Sequence, residues 1–197
     1  MASKTEERRA ALALALTDAA QSIIAQKGLA QLKARDLANM AGCSLGAIYN
    51  VYDDLTALVM AVNGRTFRAL GAQVAASQGG MDGAKPHDCL IEMSAAYLDY
   101  AAQNTHLWRA LFELDMPRDS QIPAWYLAEL SALFDHIKAP LKRIYPEKDA
   151  QEIDLLVRAL FSSIHGIVLL GLEQRISGVP PKDIQRMISA ILREIGN

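Results

Sequence analysis

Apolar residues recur every three to four positions along most of the chain, and period-two alternation is nearly absent. That pattern predicts an all-α fold. Over residues 5–27, Leu12, Leu16, Ala19, Ala20, Ile23 and Ile24 share one face, and Gly28 supplies a stop. Short helices follow at 34–41 and 45–51, separated by "GCS". Leu58, Val62, Phe67, Leu70 and Val74 keep helical spacing through a longer helix at 55–77. "QGGMDGAKPH" then breaks the chain with three glycines and a proline. Beyond it the spacing predicts helices over 87–103 and 105–115, the second limited by Pro117. Another covers 121–144, entered through Pro123 and disturbed by Pro140. The last two span 147–176 and 182–195, with "SGVPPKD" between them. The count is about nine helices, with no internal repeat or low-complexity segment.

The two short helices carry the most specific signal. Ala38 stands where crossing helices come closest, and four residues on Gly42 occupies a turn that favours positive φ. Ser44 follows at an N-cap, able to accept a bond from a free backbone N–H. This order reads as a helix-turn-helix, with an ordinary helical hairpin as the alternative. Leu37, Ala41, Cys43, Ile48 and Val51 form its apolar side, leaving Leu45, Gly46, Ala47, Tyr49 and Asn50 on the outer face. Gly46 and Ala47 are small enough for close approach to base edges or phosphates. Tyr49 and Asn50 can donate to phosphate oxygens, and an Asn can pair with an adenine edge. Tyr49 could instead be a half-buried aromatic. Tyr52, four residues from Ile48, is expected in the core with its hydroxyl at the rim. "VYDDLTAL" carries no cation, but Asp53 or Asp54 suits the positive end of the helix that follows.

Composition and charge narrow the function. The chain has 197 residues, 51% of them apolar, enough for a sizeable core and too many for disorder. The formal charge of −2 divides unevenly, +2 over residues 1–70 and −4 over the rest. This weakly favours a nucleic-acid surface in the N-terminal part. Cys43 and Cys89 have neither metal-ligand spacing nor a disulfide framework, which fits a reducing cytoplasm. "RRAALALAL" is not a signal peptide, because Glu6 and Glu7 spoil its basic start and helical periodicity continues past it. No uncharged run approaches the ~18 residues of a membrane span, so no membrane partner is expected. His87, His106, His136 and His165 have no nucleophile or carboxylate at informative spacing, and no phosphate loop or metal motif is present. No catalytic residue, metal or cofactor is therefore expected, and the chain does not read as an enzyme.

A long first helix, a glycine and "LKARDLANMAGCSLGAIYNVYDDLTALVMAV" resemble the tetracycline-repressor (TetR) family of transcription regulators over residues 8–62. The likeness rests on "DLA" at 36–38, "AGCS" at 41–44, "GAIY" at 46–49, Tyr52 and Leu58. It implies a three-helix DNA-binding domain over 1–54 and an effector-binding and dimerisation domain over 55–197, connected by helix 55–77. The implied DNA-contacting set is Lys33, Arg35, Ser44, Leu45, Gly46, Ala47, Tyr49 and Asn50. Three positions depart from the family pattern. "LK" replaces a capping serine or threonine, and a direct phosphate contact by Lys33 is expected in place of the cap. Val51 stands where histidine or tyrosine is common, and Leu55 where many relatives carry a lysine. The last predicts fewer phosphate contacts and a shallower salt dependence.

The second half fits such a division by itself. Residues 153–172, "IDLLVRALFSSIHGIVLLGL", are apolar on nearly every side and need covering on two faces. Paired with the final helix, they would make a four-helix interface between two copies, with Phe161, Ile164, Val168, Ile184, Ile188, Ile191 and Ile195 as candidates. A larger core within one chain is the alternative. "NTHLWRALFELD" and "LFSSIHGIVLLGL" also resemble a TetR subclass named for a tryptophan, histidine and glycine motif, with Phe161 near the expected tryptophan and the pair His165–Gly166 kept. His165 is expected as a core histidine bonded to a carbonyl, ahead of a ligand contact. Phe67, Met93, Tyr97, Trp108, Phe112, Trp125, Phe161 and His165 are the candidates for an apolar effector pocket, with Phe134 beside them. The expected whole is a homodimeric repressor on a palindromic double-stranded operator, released by a small, largely apolar effector. The alternatives are a helical dimer acting through protein contacts and a small helical enzyme.

Overall fold

The structure, a computed structural model, describes residues 3–81, 83–115, 122–173 and 179–196. Among them are nine α-helices and no strand. They are α1 (Lys4–Lys27), α2 (Ala34–Ala41), α3 (Leu45–Tyr49), α4 (Leu55–Ser77), α5 (Pro86–Gln103), α6 (Thr105–Glu113), α7 (Ala124–Ile144), α8 (Ala150–Glu173) and α9 (Ile184–Arg193). Short 3-10 turns precede α2 and α9. The periodicity placed α2 and α4 to the residue. Pro140 lies inside α7, which continues through it at the loss of one backbone hydrogen bond. The stop expected at Pro117, the start at residue 121 and residues 174–176 lie outside the described residues.

The helices form two compact units. The first holds α1 to α3, α4 as far as Arg68, α6, and α7 to Tyr126; the second holds the remainder. The packing boundary thus falls within α4, beyond residue 54, and α6 packs with the N-terminal helices. Hydropathy alone could not place α6, since an amphipathic face does not name its partner.

In the first unit α1 is the central element. Ser3 caps it reciprocally with Glu6, whose carboxylate pKa is lowered chiefly by the Ser3 backbone N–H. Leu16, Ala20 and Ile24 are fully buried and meet Leu37, Ile48, Leu58 and Val62 in one core, which Leu107 and Ala110 of α6 complete. Asn63 is buried there as well. Its amide donates to the Ala110 carbonyl at 3.1 Å and to the Tyr126 hydroxyl at 3.2 Å, tying α4 to α6 and α7.

The second unit packs α5, α8 and α9 together. The inward stripe of α8 is Ile153, Val157, Ile164, Val168 and Gly171, facing a core that includes Leu90, Leu141, Ile184, Ile188 and Leu192. His87 at the start of α5 meets the Ile195 carbonyl at 2.7 Å, fixing the chain after α9. Gly171 of α8 lies against Ile184 at the start of α9. A Cβ there would stand 2.7 Å from Ile184 Cγ1, well inside van der Waals contact. Gly171→Ala is therefore expected to lower stability by about 1–3 kcal/mol, despite the better helix propensity of alanine. Denaturant unfolding checks this, and an unchanged or raised midpoint would show that Ile184 can move aside freely.

Candidate nucleic-acid interface and effector site

The turn between α2 and α3 is built as its composition requires. Gly42 sits at φ +64, ψ 35, and the Cys43 N–H returns to the Ala38 carbonyl at 3.0 Å, closing α2. Ser44 has the extended backbone of an N-cap, yet its side chain caps no amide. The expected cap bond is not made, so the exposed hydroxyl points its chemistry outward. Lys33 likewise precedes α2 without a side-chain cap bond, and both Lys33 and Arg35 are exposed.

Two contacts fix α3. Ile48 is fully buried, and the backbone after it turns back on the Ile48 carbonyl through the N–H groups of Val51 and Tyr52. The Tyr52 hydroxyl lies 2.7 Å from Thr17 Oγ1 of α1, while Thr17 donates to the Ala13 carbonyl at 2.8 Å. The Tyr52 hydroxyl also reaches the same Ala13 carbonyl at 3.4 Å, so the three groups form one cluster. The Tyr52 hydroxyl thus binds a neighbouring helix in a part-buried position. The aspartates resolve too. Asp54 accepts from the Ala57 N–H at 2.7 Å and caps α4.

The outer face carries Leu45 and Tyr49, each 49% exposed, with Ser44, Gly46 and Asn50 also exposed and Ala47 half-buried. Met40 of α2 is exposed as well, although methionine on an amphipathic helix reads as core. A Cβ built on Gly46 would meet nothing within 4 Å. No lysine or arginine stands between Arg35 and Arg65, and Arg65 is held at 2.6 Å by Asp18 and 2.9 Å by Gln21. The outer face is uncharged, and the exposed cations nearest to it in sequence are Lys33 and Arg35 at the start of α2.

The aromatic candidates divide into two groups, each inside its own unit. In the first, Phe67 and Trp125 meet Tyr126 edge-on at 5.3 and 5.5 Å, and Trp108 meets Phe112 at 5.7 Å. Trp108 is fully buried, whereas Phe112 and Trp125 are exposed. Asn63 and Tyr126 are polar members of this group that went unrecognised. The signal for Asn63 was a polar residue inside the apolar run of α4. Burial, partly offset by the Asn63 bond, raises the Tyr126 pKa. In the second unit, Phe161 stacks on His165 at 5.6 Å and meets Tyr97 and Phe134 edge-on at 6.0 and 5.3 Å. His165 Nδ1 lies 2.8 Å from the Tyr97 hydroxyl, a side-chain partner where a carbonyl was expected. Burial lowers its pKa, favouring the neutral ring. Met93 is core.

The expected interface residues divide by burial within the chain. Ile164, Val168, Ile184 and Ile188 are buried within the chain, and Phe161 is half-buried among the aromatic rings. Of the candidates Ile191 is exposed and Ile195 half-buried. Helical geometry gives the reason, because the stripe starting at Ile153 turns inward and the opposite one turns out. The outward residues are Leu155 (69% exposed), Ala159, Ser162, Ser163 and Leu170 on α8, with Met187, Ala190 and Ile191 on α9.

Comparison with known proteins bears on both halves. The family described as tetracyclin repressor-like, C-terminal domain, matches residues 90–195. No curated protein matches the chain. Among solved structures, a protein of unknown function from Rhodococcus sp. RHA1 is similar, with 21% identity, a TM-score of 0.71, and 94% of this chain and 96% of that one covered. FadR of Thermus thermophilus, a TetR-family transcriptional repressor in complex with lauroyl-CoA, superposes with a TM-score of 0.65 at 19% identity, covering 92% and 91%. RolR in complex with resorcinol gives 0.69 at 17% identity, covering 97% and 90%. These likenesses show a shared fold. With the family match spanning over half of the sequence, the chain belongs to the tetracycline repressor-like family of transcription regulators.

Proposed function

We propose that the chain is an effector-responsive transcriptional repressor that binds a palindromic operator as a homodimer. The observation that carries this is the outer face of α3. Gly46 lacks a Cβ that nothing inside the protein would obstruct, and Tyr49 and Asn50 stand exposed beside it. A glycine within a helix costs about 1 kcal/mol relative to alanine. Its presence is explained by something approaching from outside, and a base edge or phosphate fits that role. Lys33, Arg35, Ser44, Tyr49 and Asn50 supply the donors to phosphate.

The dimer reading is supported by α8, which is apolar enough to cross a membrane by length and composition. Only 28% of its most apolar window is buried within the chain. A second copy placed on Leu155, Ala159, Leu170, Met187 and Ile191 would cover much of the rest. Two α3 helices would then read half-sites about 34–36 Å apart, or a multiple of that. The effector is largely apolar, because the groups available to it are aromatic with a few polar anchors such as the Tyr97–His165 pair. Resorcinol on RolR and lauroyl-CoA on FadR have this character, an apolar body with polar groups. α4 contributes to both compact units and is the element through which effector binding would change operator affinity.

Selection of bound fragments from the source genome should yield an operator whose affinity falls as salt rises. Tyr49→Ala should weaken binding to it by about 1–3 kcal/mol, roughly five- to 150-fold, without altering the fold. Selection of no fragment would favour action through protein contacts, and unchanged binding in a mobility-shift assay would remove Tyr49 from the interface. For the dimer, Leu155→Glu should shift the protein towards monomer in sedimentation velocity. A dimer of undiminished stability would place the interface elsewhere.

A further inference from the structure

The chemistry of α3 constrains which base pairs it can read, and this inference rests on the operator-binding reading above. In a helix lying in the major groove, the first residues of the helix face the base edges. Here those are Leu45, Gly46 and Ala47, and none has a side-chain donor or acceptor. Recognition of guanine by Arg or Lys, or of adenine by Asn or Gln, is thereby unavailable at these positions. From residue 36 to residue 64 the sequence contains no lysine or arginine, and the operator-binding reading assigns the nearer cations, Lys33 and Arg35, to phosphate. Tyr49 and Asn50 stand at the C-terminal end of α3, Asn50 as its C-cap, and the operator-binding reading gives them to phosphate.

One major-groove feature can be recognised by an aliphatic side chain, the C5 methyl of thymine. Leu45 has the means to do so. It is half-exposed on the first turn of α3, while Ile48, three residues on, is fully buried and fixes the helix beneath it. Gly46 beside it adds no side chain that would hold the base pair away. A lone surface leucine is ordinary on any protein. A leucine on a rigidly anchored reading helix, next to a glycine that no internal neighbour requires, is more informative.

We infer that Leu45 is a specificity-determining residue that packs against thymine methyl groups, so that each operator half-site carries thymine at the pairs it reaches. Discrimination at the centre of the half-site is then apolar. Thymine contrasts there with cytosine and uracil through its methyl group.

Deoxyuridine preserves base pairing and removes only that methyl. The test places it at each thymine of the selected operator in turn and measures binding to the wild-type protein and to Leu45→Ala. Removing one buried methyl is expected to weaken wild-type binding about fourfold, and the two symmetric half-site changes together about sixteenfold. Leu45→Ala, folded as judged by circular dichroism, should bind the thymine and uracil operators equally at the same positions. The inference is overturned if no deoxyuridine substitution weakens the wild type, or if the loss persists in full in Leu45→Ala. Failure to select any operator overturns the operator reading itself, which separates the two outcomes.

Discussion

The burial of Ile48 is the contact on which the outer face of α3 depends. A helix of five residues is far too short to persist in water, where lengths below about 12 are marginal. α3 has an orientation because Ile48 is enclosed by the core of the first unit and because the Tyr52 hydroxyl is held by Thr17 of α1. Gly42 on one side and the Asp54 cap on the other then stop the chain from continuing either neighbouring helix through it. The outward residues inherit their positions from these inward ones.

That division of labour explains the unusual chemistry of the surface. With anchoring done from within, the outer face is free to be small and uncharged. Its contribution to DNA binding would come through close approach, the Tyr49 and Asn50 donors and apolar contact, with Lys33 and Arg35 adding charge from the start of α2. Fewer cations in the contact set mean fewer released counterions and a gentler response to salt. Asp54 at the end of the motif does not oppose this, since its carboxylate is engaged with the Ala57 amide of α4.

Much of this was legible in the sequence because it follows from local rules. Helix spacing, the φ preference of Gly42 and the small residue at Ala38 depend on near neighbours only. So does the direction of the outer face, which is set once Leu37 and Ile48 turn inward. What depended on distant partners was not legible. The apolarity of α8 and α9 is visible, but which stripe faces the chain and which faces out is decided by packing. Thus Ile164, Val168, Ile184 and Ile188 belong to the core, and Leu155, Ala159 and Met187 lie outside. The pairing of Tyr97 with His165 spans 68 residues, and the bond from Asn63 to Tyr126 spans 63; no periodicity encodes either. Ser44 shows a subtler limit, because its backbone is the predicted cap while its hydroxyl is not engaged.

The central claim is that the surface of α3 is shaped for an external partner and not for the protein's own stability. Gly46→Ala tests it with one added methyl. A Cβ there meets nothing in the free protein, and alanine favours the helix by about 0.5–1 kcal/mol. Stability and operator affinity, measured on the same variant, should therefore move in opposite directions: a higher unfolding midpoint and weaker DNA binding. A variant that is more stable and binds its operator as tightly as the wild type would contradict the account.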